Sequence, residues 1–129
     1  VSRQALDDPR IITATRSGAD PLFAADYVIT DYSTVMYEAG LMGMPVYLYA
    51  YDWDTYHEKR SFNIDLARDV PTLFTNDAAA IMKAVALGQF DDQAFTRFTE
   101  SNIATLAGES ATQHLTRRII ALAEEQPPR

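Results

Sequence analysis

The sequence contains no cysteine. This absence excludes disulfide frameworks, thiolate zinc sites and cysteine nucleophiles, and it fits a reducing compartment, so we expect a cytoplasmic protein. Only 11 residues are lysine or arginine, against 18 aspartates and glutamates, which gives a net charge of −7. So acidic a chain lacks the broad basic surface that binds DNA, RNA or anionic lipid. We therefore expect no nucleic-acid partner, and any phosphate group must be bound locally.

The sequence also lacks a long uninterrupted apolar run. Its longest apolar stretch, residues 35–51, contains Glu38 and Pro45, so we expect no transmembrane segment. The amino terminus lacks both an initiator methionine and the pattern of a signal peptide. Since 129 residues suffice for one core but not for two, we expect residues 1–129 to form a single α/β domain that is a piece of a larger protein.

The first half of the chain contains short, β-branched apolar runs. The predicted strands are Arg10–Thr15, Tyr27–Thr30, Pro45–Tyr49 and, as a short fourth, Thr72–Thr75. Continuous apolar runs are typical of parallel strands buried on both faces. Helices are predicted between the first three strands, at Asp20–Ala25 and Ser33–Leu41, and right-handed crossovers then give a β-α-β-α-β order.

The second half is predicted to be mainly helical. The polar and aromatic segment Ala50–Val70 is too long for a plain connection, so it is a functional loop or contains a short helix. Three helices follow, at residues 76–88, 91–106 and 110–124, the first with Ala78, Ile81, Met82 and Val85 on one face. The predicted fold is a Rossmann-like parallel sheet of three to four strands flanked by helices, with a helical C-terminal tail.

The segment Asp31–Thr34 joins a predicted buried strand to a helix. Free backbone N–H groups and the helix dipole favour an anion at such a place, and the hydroxyls of Ser33 and Thr34 add donors, so a nucleotide pyrophosphate is a candidate ligand. Glu38 lies about one turn further along and can reach a ribose. The alternative is that the polar residues only cap the helix and that Glu38 is simply solvated.

The same region resembles the signature of the CDP-glycerol glycerophosphotransferase family, which polymerises the poly(glycerol phosphate) of teichoic acids and related capsules. The residues that carry this resemblance are Ala25-Asp26, Thr30-Asp31-Tyr32-Ser33-Thr34, Glu38, Pro45, Asp52, Tyr56 and Arg60-Ser61-Phe62. The resemblance implies the C-terminal, nucleotide-binding part of a GT-B transferase. It also implies a CDP-glycerol donor and a lipid-linked polyol-phosphate acceptor, on an enzyme peripheral to the cytoplasmic face of the bacterial membrane.

The resemblance further implies roles for individual residues. Ser33, Thr34 and Arg60 would bind the donor phosphates and Glu38 the donor ribose. The supporting residues would be Asp31, Asp52 and Asp65. The catalytic histidine would lie outside this chain. For Arg60 the alternative is a surface ion pair with Glu58 or Asp65. For the whole chain the alternatives are a CDP-ribitol or nucleotide-sugar transferase domain and a non-enzymatic α/β interaction module.

Other chemically suggestive residues have simpler interpretations. Asp52-Trp53-Asp54 offers carboxylates for a hard cation, but a solvated loop is the simpler reading, and we expect neither a metal nor a cofactor. His57 lies in the acidic loop and is not expected to take a direct part, and His114 is predicted to be an ordinary helix-face residue. Tyr47 and Tyr49 lie on a predicted strand, so packing explains them better than sugar stacking.

Overall fold

The structure is a computed structural model that describes residues 10–11, 20–103 and 108–125. Within these residues the sheet has three parallel strands in the order β1 (Val28–Thr30), β2 (Val46–Tyr49) and β3 (Phe74–Thr75). The predictions of strands at 27–30, 45–49 and 72–75 are thus confirmed with slightly shorter bounds. The strand predicted at Arg10–Thr15 lies, from residue 12 onward, outside the described residues.

Helices connect the strands and follow the sheet. A 3-10 helix at Asp20–Ala24 precedes β1. The α-helices are α1 (Val35–Leu41), α2 (Trp53–Tyr56), α3 (Leu66–Asp69), α4 (Ala78–Ala86), α5 (Asp92–Asn102) and α6 (Ala111–Glu124). The helix predicted at Ser33–Leu41 therefore begins two residues late, and the segment Ala50–Val70 contains two short helices, α2 and α3.

The longer helices begin at side chains that accept hydrogen bonds from exposed backbone amides. Asp77 accepts from the Ala79 amide at 2.8 Å at the start of α4, and Asp91 accepts from the Ala94 amide at 2.9 Å at the start of α5. Ser110 and Gln113 form a reciprocal capping box at the start of α6. Each such cap stabilises its helix by about 1 kcal/mol.

The core lies on both faces of the sheet because β2 is covered on both sides. Val46 and Leu48 pack in one buried cluster with residues of α1 and α5, whereas Tyr47 packs on the other face with Ile81 and Ala84 of α4. The predicted face of α4 is partly wrong, since Met82 and Ala78 are exposed and Ala84 is buried. The continuous apolar run of β2 is explained by this double coverage.

Helices α1 and α5 approach closely at a glycine. A Cβ atom added at Gly40 would lie 2.9 Å from Cε1 of Phe95 and would also collide with Oγ1 of Thr99. Gly40 is therefore required by the packing of the two helices. The hydroxyl of Thr99 is fully buried and has no hydrogen-bond partner among the described residues.

The last helix, α6, contributes no buried residue to the described structure. Its apolar residues Leu115, Ile119 and Leu122 have side chains that are 59%, 64% and 46% exposed. Because the three strands are parallel, the loops that follow them begin at one edge of the sheet, with Asp31 after β1, Ala50 after β2 and Asn76 after β3. Open α/β sheets bind ligands at this edge.

Candidate functional site at the carboxyl edge of the sheet

The connection between β1 and α1 is held by its own polar side chains. The carboxylate of Asp31 accepts a hydrogen bond from the Ser33 amide at 3.0 Å, and the Ser33 hydroxyl accepts a longer one, at 3.4 Å, from the Val35 amide. Thr34 precedes the helix in a helical conformation, and its side chain makes no capping hydrogen bond. The capping alternative therefore accounts for Asp31 and partly for Ser33, but not for Thr34.

Fewer backbone amide groups at this helix start are available to bind an anion than the sequence suggested. The Met36 and Tyr37 amides donate to the Ser33 and Thr34 carbonyl groups at 3.2 and 2.9 Å. The Ser33 and Val35 amides donate to side chains. An anion at this position would therefore depend mainly on the hydroxyl groups of Ser33 and Thr34, both of which are exposed.

Glu38 lies four residues after Thr34 in the first turn of α1, and its side chain is exposed. Residues four apart on a helix share a face, with Cβ atoms about 6 Å apart. The Thr34 hydroxyl and the Glu38 carboxylate are therefore close enough to contact one ligand, and their predicted roles stay a prediction.

Tyr32 is the centre of an aromatic cluster that joins this helix start to the segment after β2. Its ring centroid lies 4.6 Å from that of Tyr56, 5.2 Å from Trp53 and 6.0 Å from Phe62. Its hydroxyl donates a hydrogen bond to Oδ1 of Asp52 at 3.0 Å. Residues 52–62 are thus packed against the residue that immediately precedes Ser33.

The environment of Tyr32 favours its neutral form. Burial raises the pKa of Tyr32, and the hydrogen bond to Asp52 raises it further, because ionisation would place two negative charges side by side. The hydroxyl group therefore remains a hydrogen-bond donor at physiological pH.

Arg60 follows α2, and its position in the sequence is between two members of this cluster, Tyr56 and Phe62. Its backbone amide donates to the Tyr56 carbonyl group at 3.1 Å, and its side chain is exposed. The alternative ion pair with Glu58 or Asp65 is not formed among the described residues; Asp65 instead lies 3.8 Å from the guanidinium of Arg68. Within the part of the chain that the structure describes, the guanidinium of Arg60 therefore has no acidic partner that would compete with a ligand.

All three predicted supporting acids have structural partners, and that of Asp31 is the Ser33 amide described above. Asp52 accepts from Tyr32 and is half-buried, whereas Asp54 is exposed, so the interpretation of residues 52–54 as a solvated loop holds for Asp54 but not for Asp52. Asp65 caps α3 by accepting from the Arg68 amide at 3.2 Å. Within residues 20–103 and 108–125 no cluster of three or more histidine or acidic side chains is arranged to hold a metal ion.

The side chains of the two histidines form hydrogen bonds with residues close to them in the sequence. The Nδ1–H group of His57 donates to the Trp53 carbonyl group at 2.5 Å, and its ring stacks on the Trp53 indole. His114 is more than a helix-face residue, because its Nδ1 lies 2.8 Å from Oε1 of Glu109, which also accepts from Arg117. The hydrogen bond from His114 and the nearby Arg117 lower the pKa of Glu109.

Sequence reasoning missed Tyr32 as the organising residue, and with it Trp53 and Phe74 of the same cluster. Trp53 contacts Phe74 edge to face at 5.0 Å, which links the segment after β2 to β3. The available signal was the concentration of aromatic residues at 51, 53, 56 and 62 around two aspartates. Packing of Tyr47 in the core, as predicted, is confirmed.

Comparison with known proteins identifies the family. A sequence model of the family described as "CDP-Glycerol:Poly(glycerophosphate) glycerophosphotransferase" matches residues 7–121. The chain belongs to this family. The residues of the Tyr32 cluster and the helix start all lie within the matched range.

Individual curated proteins are similar to large parts of the chain. A teichoic acid glycerol-phosphate transferase of Staphylococcus aureus is 35% identical over 77 residues, which are 59% of this chain and 19% of the relative. A teichoic acid poly(ribitol-phosphate) polymerase of Bacillus spizizenii is 26% identical over 106 residues, which are 82% of this chain and 17% of the relative. The chain thus spans about one fifth of the length of these curated relatives.

Solved structures show the same fold. The wall teichoic acid polymerase TagF superposes on 84% of this chain, and this chain covers 27% of that structure, with a TM-score of 0.56 and 23% identity. A TagF variant soaked with CDPG superposes on 82% of this chain and is covered to 27%, with a TM-score of 0.51 and 24% identity. The predicted parallel α/β fold with a C-terminal helix is therefore confirmed. No helix in the described part of the chain is both long and apolar enough to cross a lipid bilayer.

Proposed function

We propose that this chain is the donor-binding part of a transferase that moves glycerol phosphate from CDP-glycerol to a lipid-linked poly(glycerol phosphate) acceptor. The observation that carries the proposal is the contact of Tyr32 with Asp52 and Tyr56, which fixes the Arg60 segment against the Ser33–Thr34 helix start in a member of the glycerophosphotransferase family. A soluble nucleotide donor and a lipid-linked acceptor would meet at the cytoplasmic face of the bacterial membrane, where we expect the enzyme to act as a peripheral protein.

The proposed donor site uses groups that have few competing partners. The exposed hydroxyl of Thr34 makes no capping hydrogen bond, and the guanidinium of Arg60 has no ion pair among the described residues. These two groups, with the Ser33 hydroxyl, would bind the donor phosphates. Glu38, on the same face of α1 as Thr34, would accept hydrogen bonds from the ribose hydroxyls.

In the proposed reaction, a hydroxyl group of the acceptor attacks the β-phosphorus of CDP-glycerol in line with the bond to the leaving group. The bond between the β-phosphorus and the bridging oxygen breaks, glycerol phosphate is transferred and CMP departs. Ser33, Thr34 and Arg60 would stabilise the negative charge that develops on CMP. The base that takes the acceptor proton would be supplied by a part of the enzyme outside this chain.

Calorimetric titration of the full-length protein with CDP-glycerol and with a UDP-sugar tests this proposal. We expect binding of CDP-glycerol and about ten-fold weaker binding after Thr34→Val, since a hydrogen bond to a charged phosphate is lost. Thr116→Val, at an exposed position of α6, is the matched control and should change nothing. Binding of the UDP-sugar without binding of CDP-glycerol would overturn the donor assignment.

A second donor, CDP-ribitol, is favoured by one observation, the similarity over 82% of this chain to a poly(ribitol-phosphate) polymerase. Analysis of the products formed from each donor separates the two. A non-enzymatic role would instead leave transfer activity intact after Ser33→Ala and Glu38→Ala, with the fold checked by circular dichroism.

A further inference from the structure

A cleft of about 540 Å³ lies at the carboxyl ends of β2 and β3, apart from the Ser33–Thr34 helix start. Its walls come from the residues that follow β2 and from the end of β3, including Asp52, Trp53, Asp54, Thr55, Thr75 and Asn76. Its volume is within the range of small-molecule sites. None of the roles proposed above for Ser33, Thr34, Glu38 or Arg60 uses this cleft.

The polar groups of the cleft can both donate and accept hydrogen bonds. The Thr55 hydroxyl donates its proton to the Asp52 carbonyl group at 3.1 Å, so its lone pairs remain as acceptors. The Thr75 hydroxyl accepts from the Asp77 amide at 3.1 Å, so its own proton remains available. Asn76 and Asp54 are exposed and add an amide and a carboxylate.

The charge of the cleft selects against phosphate. Two carboxylates, of Asp52 and Asp54, line it, and the described residues of its lining include no lysine, arginine or histidine. A phosphate group would be repelled there, whereas hydroxyl groups of a neutral ligand donate readily to carboxylates. Trp53 and Phe74, which meet edge to face, offer apolar surface for the C–H groups of such a ligand.

The cleft is coupled to the proposed donor-phosphate site through one residue. Tyr32, which immediately precedes Ser33, contacts both Asp52 and Trp53 of the cleft wall. A ligand that carries a phosphate at one end and several hydroxyl groups at the other would therefore match the two neighbouring sites in charge.

We propose that this cleft binds the hydroxyl groups of an alditol, the glycerol or ribitol chain of a substrate, and thereby selects which alditol is used. The inference rests on the proposed function and names the part of the substrate that this cleft recognises. The alditol belongs either to the CDP-activated donor or to the end of the acceptor chain, and binding measurements distinguish the two sources.

The donor source is tested with CDP, CDP-glycerol and CDP-ribitol on the full-length protein and on its Asp54→Asn and Asn76→Ala variants. We expect about ten-fold weaker binding of one or both CDP-alditols and unchanged binding of CDP, which has no alditol. Glu100→Gln, at an exposed position of α5, is the control and should leave all three affinities unchanged.

The acceptor source is tested by the KM for a short glycerol-phosphate oligomer. A rise of about ten-fold in this KM in the same variants, with unchanged affinity for CDP-glycerol, assigns the cleft to the acceptor alditol. Unchanged values in both measurements would overturn the inference and leave the proposed function standing. Loss of CDP-alditol binding when divalent cations are removed with EDTA would have the same two consequences. A wild-type protein that binds neither CDP nor CDP-glycerol would overturn the proposed function and this inference with it.

Discussion

The hydroxyl group of Tyr32 donates a hydrogen bond to the carboxylate of Asp52 across 3.0 Å, joining two residues that are 20 positions apart in the chain. Tyr32 lies in the connection between β1 and α1, and Asp52 lies near the start of the segment after β2. The bond therefore ties together the two loops that carry the proposed phosphate ligands. The ring of Tyr56 packs against the ring of Tyr32 in a tilted arrangement, with the two ring centroids 4.6 Å apart.

Replacement of Tyr32 by phenylalanine removes this hydrogen bond and keeps the ring. We expect the free energy of unfolding to fall by about 2 kcal/mol, because the half-buried carboxylate of Asp52 loses a donor. Urea unfolding monitored by circular dichroism measures the change. Tyr27→Phe, at a position that is 40% exposed, is the matched control, and equal stability of the two variants would contradict the prediction.

The hydrogen bond between Tyr32 and Asp52 should also affect how the stability depends on pH. Because the pKa of Tyr32 is raised in the folded protein, its stabilisation is complete below the unfolded-state value of about 10 and is lost as the pH rises toward the folded-state value. The difference in unfolding free energy between the wild type and Tyr32→Phe should therefore shrink above about pH 10. A difference that stays constant across this range would show that Tyr32 does not titrate differently in the two states.

The contact between α1 and α5 predicts a strong effect at Gly40. The side chain in Gly40→Ala would collide with Phe95 and Thr99, so we expect the free energy of unfolding to fall by about 1–3 kcal/mol. Adding Thr99→Ala should recover part of this loss, since it removes one of the two colliding groups. If Gly40→Ala raised the melting temperature, as expected for an unhindered helical site, the close approach of these helices would be refuted.

The exposed carboxylate of Glu38 gives a prediction for substrate affinity. Under the proposed function, Glu38→Gln should raise the KM for CDP-glycerol about ten-fold with little change in stability, because the charged acceptor proposed for the ribose hydroxyls becomes neutral. Steady-state kinetics of the full-length protein measure this effect. Glu100→Gln on α5 is the control, and equal KM values for the two variants would exclude a role of Glu38 in donor binding.

The sequence predicted the strands better than it predicted the contacts between loops. The run Val46–Tyr49 is apolar at every position, and this pattern is typical of a strand covered on both faces. The start of α1 was predicted two residues early, because Ser33 and Thr34 are common at helix starts whatever their side chains bind.

The aromatic cluster was not predictable in the same way. Asp52 meets Tyr32 only because β1 and β2 are neighbouring parallel strands whose following loops lie at one edge. No local pattern in the sequence reports such a contact. Met82 was assigned to the wrong face of α4 for a similar reason, since the sheet and not the helix decides that Ile81 and Ala84 face inward.

The exposed apolar side chains of α6 bear on how the protein is best prepared. Among the described residues, every member of the two buried clusters lies at or before Phe98, so a shortened chain that stops after α5 would keep both of these clusters. It would also lose Leu115, Ile119 and Leu122, whose exposed side chains favour self-association in concentrated solution. Trimming at this point offers a more tractable sample for spectroscopy of the β-sheet.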